Sequence, residues 1–172
     1  ATPARTARSD WPLIWALYGA GLLAGAQFAK IALTLDPLAM RWPGAPVEIA
    51  VSALSIVGIA FGVAAGVIAA LFGPARVLIA GLALAGALSL LQAFLPAFGL
   101  FLGLRVLEGA AHLAIVVTAP TLIAGAAQVP DRPVVMGLWG TFFGVSFALT
   151  ALVAGSLPSP GQLYAAHGMG ML

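Results

Sequence analysis

Residues 97–127 read AFGLFLGLRVLEGAAHLAIVVTAPTLIAGAA. The segment is long enough to cross a bilayer, since a helix needs about 20 mainly apolar residues for one crossing. It nevertheless contains the ionisable side chains of Arg105, Glu108 and His112. A charge at the bilayer centre costs about 2.5–3.5 kcal/mol on insertion scales, so such residues face a protein interior or a water-filled cavity. The stretch therefore predicts a membrane-spanning helix with one polar face.

The composition of the whole chain indicates the same class of protein. The 172 residues are 62% hydrophobic and 7% charged, with a mean hydropathy of +1.12. Soluble domains carry about 25% charged residues, and a soluble domain of this size could not cover its surface with so few. We therefore predict an all-α membrane protein, a polytopic helical bundle, because lipid offers no partners for open backbone groups. The formal charge of +2 reflects few charges rather than a basic surface, and predicts no nucleic-acid partner.

Six apolar segments follow one another along residues 11–172, after a polar N-terminal tail at residues 1–10. Five of them are long enough for a complete crossing, whereas the sixth reaches Leu172 after about 10 residues. The predicted spans are about 12–35, 47–72, 76–95, 97–127 and 134–157, with 163–172 as the start of a sixth. Because the chain ends without a polar tail, we expect it to be a piece of a longer protein.

Positive charges predict how these spans are oriented, because inner loops carry more Lys and Arg than outer loops. With the N-terminus inside, four positive residues fall on the inner side and two near the outer side. These are Arg5, Arg8, Arg76 and Arg132, against Lys30 and Arg41. We therefore expect a multi-pass protein of the cell inner (plasma) membrane with a cytoplasmic N-terminal tail.

Taken in order, the segments resemble the N-terminal half of a major facilitator superfamily transporter. After its second span, that family has a signature of approximately G-x-x-x-D-R-x-G-R-R. Here GVIAALFGPAR has Gly66 and Gly73 at the glycine positions and Arg76 just beyond. Ala70 and Leu71 occupy the acidic and basic positions, so this inner-loop motif lacks the charges of the family's inner gate.

Two further stretches complete the resemblance. LRVLEGAA, residues 104–111, is similar to the family's fourth span, where an Arg precedes an acidic or amide residue and a Gly. APTLIAGAAQVPDRPVVMGLWGTFFG, residues 119–144, has the Pro, short Arg-containing loop and glycine-rich fifth span typical of the family. The resemblance implies two six-helix halves with the substrate site between them. This chain would supply one half, and its partner would be a C-terminal half or a second membrane subunit.

Polar residues form a stripe on each of two spans, because steps of three and four residues return to one side of a helix. One stripe is Arg105, Glu108 and His112, and the other is Gln27, Lys30 and Thr34. The resemblance implies that both spans line the substrate cavity. We therefore predict a substrate-binding site of Arg105, Lys30, Gln27, His112 and Trp139. Glu108 and His112 are the candidates for proton coupling.

Such a site has a net positive charge, which favours a small anionic solute held by bidentate Arg contacts and a Lys charge. The first hypothesis is a secondary transporter of a small anion by alternating access, coupled to protons as a symporter, and not an enzyme. The second hypothesis is a non-transporting accessory subunit of a membrane complex, which the degraded inner-loop motif favours.

The site residues also have purely structural interpretations. Lys30 could extend to the outer interface, Arg105 and Glu108 could form a structural pair, and His112 could simply pack.

We expect no metal and no cofactor, because Met residues at a helix start usually pack, no spacing supports a haem site, and Ser146 lacks the second glycine of a nucleophile elbow. The alternatives set aside are a copper site in HGMGM at 167–171, a haem between His112 and His167, and a serine nucleophile at Ser146.

Overall fold

Eight α-helices form a bundle in the computed structural model, which describes residues 8–172. The helices are α1 Trp11–Ala32, α2 Leu35–Arg41, α3 Ile49–Phe72, α4 Pro74–Ala93, α5 Phe98–Ala126, α6 Arg132–Gly140, α7 Phe142–Ala154 and α8 Pro160–Met171. Four of them are long and apolar enough to cross a membrane, and α6 with α7 makes a fifth when counted as one bent span. The predicted all-α membrane bundle is confirmed. The tail prediction for residues 1–7, with Arg5, lies outside the described residues.

Two predicted segments differ from the helices that form. The first span was expected to reach residue 35, but α1 ends at Ala32 and α2 occupies part of the expected loop. The fifth span consists of two helices that meet at Thr141 with a bend of 43°. There Thr141 Oγ1 donates to the Leu138 carbonyl at 2.7 Å and lies 2.8 Å from Tyr18 Oη. A hydroxyl bonded to a backbone carbonyl in this way often bends a helix.

Local sequence explains where several helices begin. The Asp10 side chain accepts a hydrogen bond from the Leu13 backbone N–H at 3.1 Å and caps α1, which has a Pro in its first turn. Gly73 joins α3 to α4 with a φ of 88°, a conformation that glycine adopts without strain. Ser159 caps α8. Pro120 does not interrupt α5, as is common in membrane helices, whose surroundings satisfy the freed carbonyl.

α1 and α5 form the interior of the bundle. α5 packs against α1, α3 and α4, while α1 also packs against α7 and α8. The larger apolar core lies between them and includes Ile14, Leu17 and Ile115, all buried. α3 lies at the periphery with most of its apolar surface exposed.

Two glycines set how α4 and α8 cross. A Cβ added to Gly168 would lie 2.9 Å from the Gly86 carbonyl oxygen, and one added to Gly86 would lie 3.0 Å from the Gly168 carbonyl oxygen. Only a residue without a side chain lets the two backbones approach this closely. The crossing brings Ser89, within one turn of Gly86, beside His167, the neighbour of Gly168.

The repeated glycines of α3, unlike Gly86 and Gly168, do not lie at a close contact between helices. The four-residue spacing of Gly58, Gly62 and Gly66 predicts close packing against another helix. No atom of a neighbouring helix in residues 8–172 lies within 4 Å of a Cβ built at any of the three. The packing prediction is therefore wrong for the described part of the chain.

Candidate functional site

Glu108 is the centre of a buried polar cluster formed by α1, α4, α5 and α8. Its Oε1 accepts a hydrogen bond from Lys30 Nζ at 2.7 Å. Its Oε2 accepts from Arg105 Nη1 at 2.6 Å and from Gln92 Nε2 at 2.7 Å. Lys30, Arg105 and Glu108 have no exposed surface at all. Two cations and one carboxylate leave this cluster with a formal charge of +1.

Lys30 uses all three of its ammonium hydrogens within the cluster. Besides the bond to Glu108, Nζ donates to Ser89 Oγ at 2.8 Å and faces His167 Nδ1 at 3.4 Å. It also lies 4.8 Å from the centre of the Tyr164 ring, a distance at which a cation and an aromatic face attract each other. An ammonium has three donors and no acceptor, so this set of partners is complete. The alternative in which Lys30 extends to the interface is therefore wrong.

His167 has its tautomer fixed by its two neighbours. Nε2 lies 3.0 Å from the Leu23 carbonyl oxygen. A carbonyl only accepts hydrogen bonds, so Nε2 carries the hydrogen and Nδ1 of the neutral ring is an acceptor, an assignment made from the network. Nδ1 lies 2.9 Å from Ser89 Oγ. Ser89 Oγ also lies 2.8 Å from the Tyr164 carbonyl oxygen, to which it donates its single hydrogen. Ser89 therefore contacts both His167 and Lys30, and the hydrogen directed at Nδ1 comes from Lys30.

Arg105 connects the cluster to α3. Its Nε donates to the Ala50 carbonyl at 3.1 Å, while Nη1 donates to Glu108. Its Nη2 and the Oε1 of Gln92 are buried and have no hydrogen-bond partner in the described part of the chain. The predicted pairing of Arg105 with Glu108 is confirmed, but Arg105 holds helices together here rather than facing open water.

Gln27 and His112 form a separate polar contact one helical turn away. His112 Nδ1 lies 2.8 Å from Gln27 Oε1. The His112 ring packs edge-on against Phe28 at 5.1 Å and is partly exposed, unlike the cluster. Phe28 in turn contacts Phe143 of α7. The two predicted stripes therefore meet, as expected from their spacing, but they divide into two sites.

Trp139 and the inner-loop residues lie away from the cluster. Trp139 stacks on Phe142 at 4.6 Å and fills a notch at Gly21, where an added Cβ would lie 2.5 Å from its ring. Gly73 forms the turn between α3 and α4, and Arg76 lies at the start of α4 beside a crevice between α3, α4 and α5. These positions are compatible with packing and turn formation.

A cleft of about 430 Å³ opens between α1, α7 and α8, directly beside the cluster. Lys30 and His167 form part of its wall, with Ser146 and Thr150 of α7. The rest of the lining is apolar, and Glu108 is not part of it. Lys30 and His167 therefore separate Glu108 from the cleft.

Of the two environments expected for these charges, a protein interior and a water-filled cavity, Arg105 and Glu108 occupy the first, since helices enclose them without exposed surface. That these residues bind a substrate stays a prediction. Sequence reasoning also missed four partners of the charges, namely Ser89, Gln92, Tyr164 and His167. One signal for the first two was available. Ser89 and Gln92 are three residues apart, and so share a face of an otherwise apolar span.

The fold and the buried cluster define a multi-pass α-helical membrane protein. The family model described as the Major Facilitator Superfamily matches residues 13–166. The chain therefore belongs to the Major Facilitator Superfamily, and the prediction of that family is confirmed. The family points to a secondary membrane transporter for small solutes rather than an enzyme. No curated protein and no solved structure matches the chain.

Proposed function

We propose that this chain is part of a proton-coupled symporter for a small anionic solute. It works by alternating access together with a second membrane unit, either a C-terminal half or a separate subunit. The protein lies in the cell inner membrane with a cytoplasmic N-terminus, as the distribution of positive charges favours.

The proposal that the substrate is an anion rests on the excess positive charge of the cluster. Lys30 and Arg105 share the single carboxylate of Glu108, which leaves +1 in a region without exposed surface. An unbalanced charge in a low-dielectric interior is costly, and a counter-charge nearby lowers that cost. Lys30 and His167 border the cleft. An anion in the cleft would therefore be attracted by the cluster.

Proton coupling follows from the position of Glu108. This carboxylate is the one negative charge in contact with Lys30 and Arg105 among the described residues. A proton bound to Glu108 raises the formal charge of the cluster from +1 to +2, which strengthens the attraction for an anion. By linkage, a bound anion then favours the bound proton to the same extent. The proton and the anion therefore travel together.

The test uses the natural full-length protein reconstituted in liposomes. Radiolabelled acetate, lactate, succinate, phosphate and sulfate are offered under an inward proton gradient, and an internal pH dye records proton entry. We expect uptake of at least one anion together with protons, faster at lower external pH because the protonated cluster attracts anions.

Glu108→Gln removes the carboxylate but keeps its size, so we expect anion uptake that no longer moves protons. Glu48→Gln is the matched control, since Glu48 is exposed at the start of α3. No uptake of any tested anion by the wild type contradicts the anionic substrate. Unchanged proton entry in Glu108→Gln contradicts the coupling role of Glu108.

The complete burial of Arg105 and Glu108 favours a second candidate function. Under this alternative, the chain is a non-transporting subunit, and the cluster has the purely structural role of joining α1, α3, α4, α5 and α8. Under this candidate, the vesicles take up no solute, and the protein co-purifies with a stoichiometric membrane partner.

A further inference from the structure

The cleft between α1, α7 and α8 exists because α7 and α8 pack against different helices. α7 packs on α1, whereas α8 packs mainly on α4. The close approach of Gly168 to Gly86 holds α8 in that position. α7 and α8 therefore scarcely touch each other, and the space that they leave beside α1 is the cleft.

Most of the wall of this cleft is aliphatic. All three helices contribute leucines to it, namely Leu22, Leu23, Leu149 and Leu163. The volume of about 430 Å³ lies within the range of roughly 300–1,000 Å³ that is usual for small-molecule sites. A small inorganic anion would leave water against these side chains, whereas an aliphatic chain removes them from water, which is favourable. The lining therefore favours a ligand with an apolar part over a fully hydrated ion.

Among the described residues that line the cleft, the one charged side chain is a cation. Lys30 lines the cleft, and its carboxylate partner Glu108 does not. The helices α1, α7 and α8 contain no Asp or Glu. Lys30 has no exposed surface, so it acts on a group in the cleft through space, and a low-dielectric interior screens that attraction little. The charge distribution around the cleft therefore favours an anionic head group.

Thr150 of α7 offers a hydrogen bond to such a head group. Ser146, one turn earlier, also lines the cleft, but its hydroxyl donates to the Leu22 carbonyl at 2.6 Å. The hydroxyl of Thr150 has no such partner in the described part of the chain, and 8% of the residue remains exposed. Because a hydroxyl is both a donor and an acceptor, Thr150 is free to donate to an anionic oxygen in the cleft.

We propose that the cleft binds a single-chain amphiphilic anion, such as a medium-chain carboxylate or sulfonate. Its charged head accepts a hydrogen bond from Thr150 near Lys30, and its aliphatic chain lies against the leucines of the wall. The inference rests on the proposed function and deepens it by naming the class of anion. The leucines account for the apolar part of this ligand, and Lys30 with Thr150 accounts for its charged end.

The experiment measures binding rather than transport. The full-length protein in nanodiscs is titrated calorimetrically with alkanesulfonates from methanesulfonate to octanesulfonate, and empty nanodiscs correct for partitioning into the bilayer. A sulfonate stays ionised at every pH used, so it does not enter the bilayer as a neutral acid. We expect the affinity to rise by up to about fourfold with each added methylene, which is the gain from burying one CH₂ group. An affinity that does not depend on chain length overturns the proposal.

Two further probes with the same aliphatic chain test the charge of the ligand. Heptanol has no charge, and heptyltrimethylammonium has a positive one. We expect heptanesulfonate to bind at least about tenfold more tightly than heptanol, because a hydrogen bond to a charged group is stronger than one to a neutral group. The cation should not bind. Equal affinities for heptanesulfonate and heptanol overturn the proposal.

Variants of the wall test where the aliphatic chain lies. Ala166→Leu fills part of the cleft from α8, so heptanesulfonate should bind about tenfold less tightly, as if roughly two methylenes were no longer buried. Methanesulfonate should bind as it does to the wild type. Leu149→Ala enlarges the cleft and should move the preference to longer chains. Ala148→Leu, at an exposed position of α7, is the control. An unchanged chain-length preference in both folded wall variants overturns the proposal.

A separate variant tests the position of the charged head. Thr150→Val removes the hydroxyl and keeps the shape of the side chain, so the affinities for all chain lengths should fall by the same factor of about ten. Thr121→Val, at an exposed position of α5, is the matched control and should bind every sulfonate as the wild type does. Unchanged affinities in Thr150→Val overturn the assignment of the head group to Thr150.

The outcomes also separate this site from a lipid site and from the proposed function. A mass spectrum in which phospholipid remains bound to the wild type but not to Ala166→Leu overturns the proposal in favour of a membrane lipid. Sulfonate binding without chain-length dependence overturns it even when liposomes take up acetate or phosphate. Chain-length-dependent binding by a protein that transports none of the anions supports the site and contradicts the proposed transport.

Discussion

His112 and His167 are the histidines of this chain, and their surroundings differ sharply although both lie in apolar segments. His167 is 6% exposed and touches a lysine, a serine and a backbone carbonyl. His112 is partly exposed, and its Nδ1 lies 2.8 Å from the amide oxygen of Gln27. The difference shows that a side chain joins a charged network because of the neighbouring helices that pack against it, and not because of its own helix alone.

The difference has a structural cause in the crossing of α4 and α8. Gly86 and Gly168 bring these helices close enough for His167 to reach Ser89. His112 follows Glu108 by four residues, on the side of α5 that meets Phe28 of α1 rather than α4. One histidine therefore belongs to a closed cluster and the other to an aromatic contact.

The largest expected effect concerns the charged cluster to which His167 belongs. Glu108→Gln leaves Lys30 and Arg105 buried without their shared carboxylate, and should lower the free energy of unfolding by about 3–5 kcal/mol. Thermal unfolding of the purified protein in detergent measures the change. Glu48→Gln, on an exposed side chain, is the control. Equal unfolding temperatures for the two variants would mean that the cluster does not stabilise the bundle.

A smaller effect should follow when the helix crossing itself is disturbed. Gly168→Ala places a Cβ 2.9 Å from the Gly86 carbonyl oxygen, and overpacking of this kind costs about 1–3 kcal/mol. The same unfolding assay measures it, and the ¹⁵N signals of His167 should shift while those of His112 do not.

Gly170→Ala is the matched control on the same helix. Its added Cβ would lie 3.4 Å from Leu23 Cδ2, an ordinary contact. Since alanine favours a helix over glycine by about 1 kcal/mol, this variant should be neutral or slightly more stable. If Gly168→Ala and Gly170→Ala lose the same free energy of unfolding, the close approach of α4 to Gly168 does not contribute to stability.

The smallest effect is expected at the contact between His112 and Gln27. Gln27→Leu removes the acceptor that faces His112, and a single hydrogen bond is worth about 0.5–1.5 kcal/mol. Gln162→Leu, at an exposed position, is the control in the same unfolding assay. A loss as large as that of Glu108→Gln would mean that the two polar sites are one cooperative unit.

Much of the architecture could be predicted from the sequence. Long apolar segments separated by Pro and Gly indicated membrane helices, and the fold class and family are confirmed. Helical spacing also predicted that Arg105 and Glu108 meet, and they do. These predictions succeeded because each depends on one segment at a time.

The bend and the burial of the charges were not predictable in the same way. The 43° bend at Thr141 arises where this residue meets Tyr18 of another helix. The polar faces of α1 and α5 were expected to line an open cavity, yet α4 and α8 cover them. A polar stripe looks the same in sequence whether it faces water or other polar side chains.

By itself, the sequence determined that this chain crosses a membrane as helices and which residues share a face of each helix, because hydropathy and the 3.6-residue repeat are properties of a single segment. Only the tertiary structure decided that Lys30, Ser89, Glu108 and His167 form one network beside a cleft. Their meeting depends on how closely separate helices approach, and that distance is set by the glycines and side chains of both partners at each crossing.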